Sequence, residues 1–282
     1  KRQIPNVTSF LTVFCETEKE PQNWKSDWDK SIAHVVWGYQ NEKVVENGIS
    51  YALCEKDGSK FYKAFAFDRS RDMIEIPSSI NGIPVTTIND SAFEKCFSLK
   101  SVTLSNGITS IGKSAFASCT SLTNISIPDS VTYIGDGAFS QCEALSNIVI
   151  PNRVTEINSY TFNGCKSLKN VTISENVTYI AEYAFYCCET LPSVNIPGNV
   201  KEVGENAFYG CFELKNVIIS NGVQALRNYS FAFCDSLAQI IIPKSVITLE
   251  AQTFFEGNPN LTVYCEAQSQ PSGWDDGWVN EV

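Results

Sequence analysis

Phenylalanine stands at Phe93, Phe116, Phe139, Phe162, Phe185, Phe208, Phe231 and Phe254, a step of 23 residues that never slips. A cysteine follows three positions later in the first seven units, from Cys96 through Cys119, Cys142, Cys165, Cys188 and Cys211 to Cys234. A strict period of this length is the signature of a solenoid, in which one short supersecondary unit stacks on itself. A single unit carries too few apolar side chains to offset the entropy lost on ordering its backbone. Each coil must therefore be held by its neighbours, and the array is one cooperative body rather than a string of domains.

Residues 114–136 show the unit. Leu122, Ile125 and Ile127 end in apolar–polar alternation, the period of a strand. Pro128, Asp129 and Ser130 form a turn where that strand stops. Residues 131–134 make a second short extended stretch, and Gly135 leads into Ala-Phe-x-x-Cys, which reads as one short helical or 3₁₀ turn.

A longer echo overlays the short one. Leu11-Thr12-Val13-Phe14-Cys15-Glu16 matches Leu261-Thr262-Val263-Tyr264-Cys265-Glu266, and Pro21, Trp24 and Trp28 match Pro271, Trp274 and Trp278, all at an offset of 250. Residues 1–37 thus read as the tail of a preceding array, and the chain as a fragment of a longer tandem protein. Residues 38–72 lack the period but carry the turn pairs Asn47-Gly48 and Asp57-Gly58 between β-rich runs. They predict a β-hairpin that caps the first coil, because an open solenoid end exposes core and sheet edge. The array itself spans 73–264. Residues 265–282 form a terminal cap in which Trp274 and Trp278, four apart, would cover the last coil from one helical face.

Composition narrows function. The net charge of −10 disfavours nucleic acid. No run of 18 apolar residues occurs, so no membrane-spanning helix is expected. Eleven cysteines suggest disulfides, yet seven occupy one repeated site between core residues, which predicts a ladder of buried, reduced thiols. Asn-x-Ser/Thr triplets begin at Asn6, Asn89, Asn124, Asn170, Asn176, Asn228 and Asn260; an Asn- and Thr-rich repeat generates these by chance, as fits a bacterial source. His34 is the only histidine, and no phosphate loop, metal-ligand spacing or nucleophile–base pair is present. Glu156 and Glu202 sit two units apart, about 10 Å by strand spacing, with nothing else pointing to paired-carboxylate chemistry. No enzyme activity, cofactor or metal is expected.

The unit's motifs, Leu-x-x-Ile-x-Ile, Ala-Phe-x-x-Cys-x-x-Leu and Ile-Pro-x-Ser-Val-Thr-x-Ile-Gly, resemble those of the BspA-like leucine-rich repeat family over about residues 72 to 264. The resemblance implies a right-handed, curved leucine-rich repeat stack with a parallel sheet on its concave side, and a surface adhesion or recognition role. On that face the outward columns would be Thr103, Ser126, Val149, Thr172, Asn195, Ile218 and Ile241, beside Ser101, Asn124, Asn147, Asn170, Ser193, Asn216 and Gln239. They are the candidate ligand-binding residues, for an extended protein or glycan on a host or neighbouring cell, presented by a monomer at the bacterial surface. A second candidate is the aromatic cluster Tyr183, Tyr186, Tyr209 and Tyr229 on the turn side. A stalk that only spaces other domains is the alternative.

Overall fold

A computed structural model of the chain describes residues 11–16, 33–256 and 260–278. It is a parallel β-solenoid built from 23-residue coils. Two strands near the N-terminus, β1 (Leu11–Cys15) and β2 (Ala33–Trp37), pair in parallel. The non-repeating segment forms β3 (Tyr39–Glu46), β4 (Ile49–Lys56) and β5 (Ser59–Phe67). The expected hairpin is thus a three-stranded meander. Its two turns are made where Asn47-Gly48 and Asp57-Gly58 adopt positive φ, near 51° at each first residue.

The first coil contributes β6 (Met73–Ile76), β7 (Ser79–Ile80) and β8 (Ile83–Ile88). Each later coil adds two strands: β9 (Ser101–Leu104) and β10 (Ser110–Ile111), β11 (Asn124–Ser126) and β12 (Tyr133–Ile134), β13 (Asn147–Val149) and β14 (Glu156–Ile157). The series continues with β15 (Asn170–Thr172) and β16 (Tyr179–Ile180), then β17 (Ser193–Ile196) and β18 (Glu202–Val203). It closes with β19 (Asn216–Ile219) and β20 (Ala225–Leu226), β21 (Gln239–Ile242) and β22 (Thr248–Leu249), and β23 (Thr262–Cys265) and β24 (Gly273–Trp274). The longer strands, β6 and the odd-numbered ones from β9 to β23, line up coil on coil as ladder one and pair in parallel in four groups, β6-β9-β11, β13-β15, β17-β19 and β21-β23. Ladder two is formed by β8 and the even-numbered two-residue strands, paired in two runs, β8-β10-β12 and β14 to β24, and the meander joins the first run by a parallel pairing of β5 with β8. The cap therefore extends ladder two, not ladder one.

The Ala-Phe-x-x-Cys segments are not helical, and the described residues contain no helix. Two residues in each of the seven coils from Phe93 to Phe231 explain this. The positions two before and two after the core Phe lie in the left-handed region, as at Ser114 (φ 51°) and Ser118 (φ 58°) around Phe116, and Tyr183 (56°) and Cys187 (52°) around Phe185. A helix cannot pass through such residues. The backbone instead turns outward to bond the next coil: the Phe116 amide donates to the Ala138 carbonyl at 2.8 Å, and the Phe162 amide to Ala184 at 2.8 Å. This makes a third line of inter-coil hydrogen bonds.

The core follows from that register. Neighbouring Phe rings of the column stack with centroids 5.1 to 6.1 Å apart and planes within 18°. The seven repeat cysteines are reduced and all buried. Cys119 Sγ donates to the Phe93 carbonyl at 3.1 Å, and the next five cysteines repeat the contact at 3.2 to 3.4 Å. Each of these six thiols is thus a weak donor stitched to the preceding coil as well as a small core residue. Burial pushes Cys96 up to about 11 and Cys165 to about 12, and raises the remaining ladder thiols by the same cause.

At the other end, Trp274 lies in β24 against β22, not on a helix. Its indole N–H donates to the Val246 carbonyl at 3.0 Å, and Trp278 meets it edge-on at 5.2 Å. Both rings are buried over the last coil. Trp24 and Trp28 lie outside the described residues.

Three outcomes are expected. In native protein at pH 8 a thiol reagent should reach only Cys15, Cys187 and Cys265, three of the eleven cysteines, while denaturant releases all. Unfolded thiols titrate near about 8.5, whereas the native ladder holds its protons to about 11 and beyond. Stability is then full below about pH 8.5 and falls as pH rises above it, by about 1.4 kcal/mol per unit for each buried thiol. Urea midpoints across that range read the slope, and replacing Cys142, Cys165 and Cys188 by Ala should flatten it. Separately, Gly137 sits at φ 59° with no atom closer than 3.5 Å to an added Cβ. Gly137→Ala should cost about 1 kcal/mol from backbone conformation alone, measured by the same urea titration.

Candidate binding surface

Ladder one buries alternate residues. Strands β17, β19 and β21 all alternate exposed and buried, so one face of each strand fills the core and the other meets solvent. Of the outward residues expected from the sequence, Ser101 is half-buried and the others are exposed: Thr103, Ser126, Val149, Thr172, Asn195, Ile218 and Ile241, with Asn124, Asn147, Asn170, Ser193, Asn216 and Gln239 beside them. Parallel register sets like positions side by side. Ser126 faces Thr103, Val149 faces Thr172, Asn195 faces Ile218, and Asn147 faces Asn170. Asn170 donates its amide to Asn147 Oδ1 at 2.6 Å, and Asn147 in turn donates to Ser146 Oγ at 2.7 Å.

Sequence reasoning missed one member. Tyr264 is paired with Ile241 and continues the same column one coil further. The unbroken step of 23 from Ile241 was the signal that pointed to it. Ile218, Ile241 and Tyr264 are 61%, 55% and 54% exposed, so the column ends in three consecutive large apolar side chains. Val149, also 61% exposed, stands alone among polar neighbours.

Ladder two carries a different column. Glu156, Tyr179 and Glu202 are consecutive partners, so Tyr179 stands between the two carboxylates. Glu202 is gripped by Arg227, whose other nitrogen bonds Glu250 at 3.0 Å. These two carboxylates raise the Arg227 guanidinium further above its already high range. Tyr179, Glu182, Glu202, Glu205, Arg227 and Glu250 line a shallow open depression. Glu202 is an ion-pair partner rather than half of a carboxylate pair with Glu156. No cluster of His, Cys, Asp and Glu with metal-binding geometry is found among the described residues.

The tyrosines join into a strip on the turn side. Tyr160 stacks on Tyr183 at 4.7 Å and Tyr186 on Tyr209 at 4.8 Å, with tilted contacts from Tyr183 to Tyr186 and from Tyr209 to Phe233. Phe255 closes the strip against Phe233 and Tyr229. Stacked rings use their faces on one another and offer mainly edges and hydroxyls to solvent. These ring contacts pack neighbouring turns against one another. Of the Asn-x-Ser/Thr sites, Asn124, Asn170, Asn176 and Asn260 are exposed, Asn228 is half-buried and Asn89 is buried; Asn6 lies outside the described residues. His34 lies on β2.

Comparison with known proteins places this geometry. The model of the BspA type leucine rich repeat region matches in six copies, over residues 62–190 and 132–262. A leucine-rich repeat protein of T. pallidum is 30% identical, with 65% of this chain and 84% of that one covered, at a TM-score of 0.59. A leucine-rich cell surface protein of Faecalibacterium prausnitzii is 26% identical over 82% of this chain and 78% of its own, at 0.56. A leucine-rich repeat protein of Bacteroides ovatus, 21% identical with coverage of 82% and 70%, shares the fold at 0.58. No curated protein sequence matches the chain.

The Arg227 bridge yields a stability prediction. Arg227→Gln removes the positive charge between two half-buried carboxylates, and thermal unfolding should show a loss of about 1 kcal/mol at low salt that shrinks in 1 M salt. A loss unchanged by salt would mean that Arg227 acts through packing instead.

Proposed function

The chain belongs to the BspA-type leucine-rich repeat family, and from that premise we propose that it is a non-enzymatic binding module of a bacterial cell-surface protein, with an extended protein segment laid along ladder one as its ligand. The observation that carries this is the exposed column Ile218, Ile241 and Tyr264. Three large apolar side chains on adjacent strands leave apolar area in water that a partner would cover. The N-terminal part of the same face is hydroxyl- and amide-rich, from Thr103 through Asn170. An extended polypeptide suits both halves. Its backbone meets the amides and hydroxyls, and its apolar side chains meet the isoleucines. The cell-surface description of the F. prausnitzii relative supports the location.

A spacer is the second reading. It is favoured by the Asn147–Asn170 hydrogen bond, since those amides are already satisfied within the ladder. An unbiased screen on protein and glycan arrays separates the two. A protein ligand should lose at least tenfold in affinity with Ile218→Lys plus Ile241→Lys, since each buried isoleucine contributes about 1.5 kcal/mol or more. Asp129→Lys, on an exposed turn, makes the same change in net charge and should leave affinity intact. A ligand equally sensitive to both would be bound by charge elsewhere, and no ligand at all would favour the spacer.

A further inference from the structure

Ladder one stops at β23. That strand pairs with β21 on one side and, among the described residues, has no partner on the other. The chain then leaves for ladder two, where β24 joins β22. The free edge presents backbone donors and acceptors to solvent, which is the usual template for strand addition. Cys265, aligned with the buried Ile242, is exposed there.

The same sequence occurs once more in the chain, and there its edge is taken. Residues 11–16 differ from 261–266 only in Phe14 for Tyr264. Strand β1 is covered by β2 in parallel register, with Leu11 opposite Ala33, Val13 opposite Val35 and Cys15 opposite Trp37. Cys15, the counterpart of Cys265, is half-buried. Directly after β2 the chain turns at Gly38 into the meander.

The meander is apolar on both faces. Ile49, Tyr51, Leu53, Tyr62 and Ala64 join the core of the array that follows. On the opposite face Ala52, Cys54 and Phe65 form a second buried cluster with Val36 of β2. A terminal cap of a solenoid needs a polar outer surface. This one instead buries its outer surface against the strand that covers β1.

We infer that the free edge of β23 is the docking site for a β2-type strand, supplied by a second copy of this module following in the same polypeptide. The meander is then a two-sided connector that joins consecutive arrays into one continuous body. The offset of 250 fixes the register: Leu261 opposite Ala33, Tyr264 opposite Val36 and Cys265 opposite Trp37 of the following copy. The occupant is specified by β23 itself, whose sequence is the one β2 already pairs with.

The test is a tandem protein in which residues 33–282 are placed directly after Val282, with Cys265→Ser in the second copy so that one Cys265 thiol reports on the junction. Alkylation of that thiol and amide exchange of residues 262–265 are followed by mass spectrometry and compared with the single chain. Both should slow by at least tenfold in the tandem protein. Val36→Pro in the second copy, which breaks the added strand, should restore the single-chain rates while the second array stays folded by circular dichroism. Unchanged rates at Cys265 in a tandem protein whose second array is folded would overturn the proposal. So would a single chain in which Cys15 reacts as fast as Cys265, since the pairing that serves as template would then be absent.

Discussion

The backbone hydrogen bonds from one coil to the next are the constraint on which the rest of the molecule depends. They run along ladder one, along ladder two and through the Phe amides of the turn side. Because they hold the repeating coils in a register of 23 residues, each side chain is set one strand spacing from its own counterpart. Like must therefore sit on like. Phe stacks on Phe, Asn170 bonds Asn147, and Tyr183 stacks on Tyr160. Charged positions meet the same rule by alternating sign. Lys113 pairs with Asp136, Lys166 with Glu143 and Arg227 with Glu250, each exactly one period apart in sequence. An acidic chain that stacks identical units would otherwise set carboxylates in columns, as like charges directly opposite are destabilising.

The same constraint explains the turn side, where local and tertiary preference disagree. Ala-Phe-x-x-Cys has the spacing of a helical turn, and the Cys amide does bond the Phe carbonyl three residues back, at 3.2 Å for Cys119. A helix would spend the Phe amides within the coil. Left-handed residues on either side of Phe turn those amides toward the next coil instead. Glycine fills such positions at Gly137, Gly164 and Gly210, but tyrosine does at Tyr160, Tyr183 and Tyr229. Those tyrosines adopt a costly backbone; Tyr160 and Tyr183 stack on each other across adjacent coils, and Tyr229 meets Phe255 edge-on. The inter-coil bond and the ring contact together outweigh the local preference.

That conflict marks the limit of what the sequence makes legible. Period, strand positions, the buried Phe and Cys columns and the exposed columns of ladder one all follow from spacing and alternation, which report inside and outside directly. The turn conformation does not, because φ at Ser114 or Tyr183 is set by a hydrogen bond to a residue more than twenty positions away. The second role of the thiols from Cys119 to Cys234, donating to the Phe carbonyl of the preceding coil, is invisible for the same reason. Tyr264 escaped the binding column although its spacing was regular, since the lost Cys site and extra residue at Gly257 draw attention to a repeat that is ending. The turn pairs of residues 38–72 announce only a hairpin that caps the first coil. Only the packing shows that both of its faces are covered.

A continuous junction also bounds what ladder one can bind. With a β2-type strand seated on β23, the outward column would run on from Tyr264 to the counterpart of Val36. Val36 is fully buried under the meander. The exposed column therefore ends at each junction, and the meander stands at its end as a wall. From Thr103 to Tyr264 it crosses eight strands, about 34 Å at the usual strand spacing. An extended peptide of about ten residues spans that distance. Each module would then hold one short segment, with its apolar anchors at Ile218, Ile241 and Tyr264 against the wall. Tandem modules would gain strength by engaging several such segments at once rather than one long one.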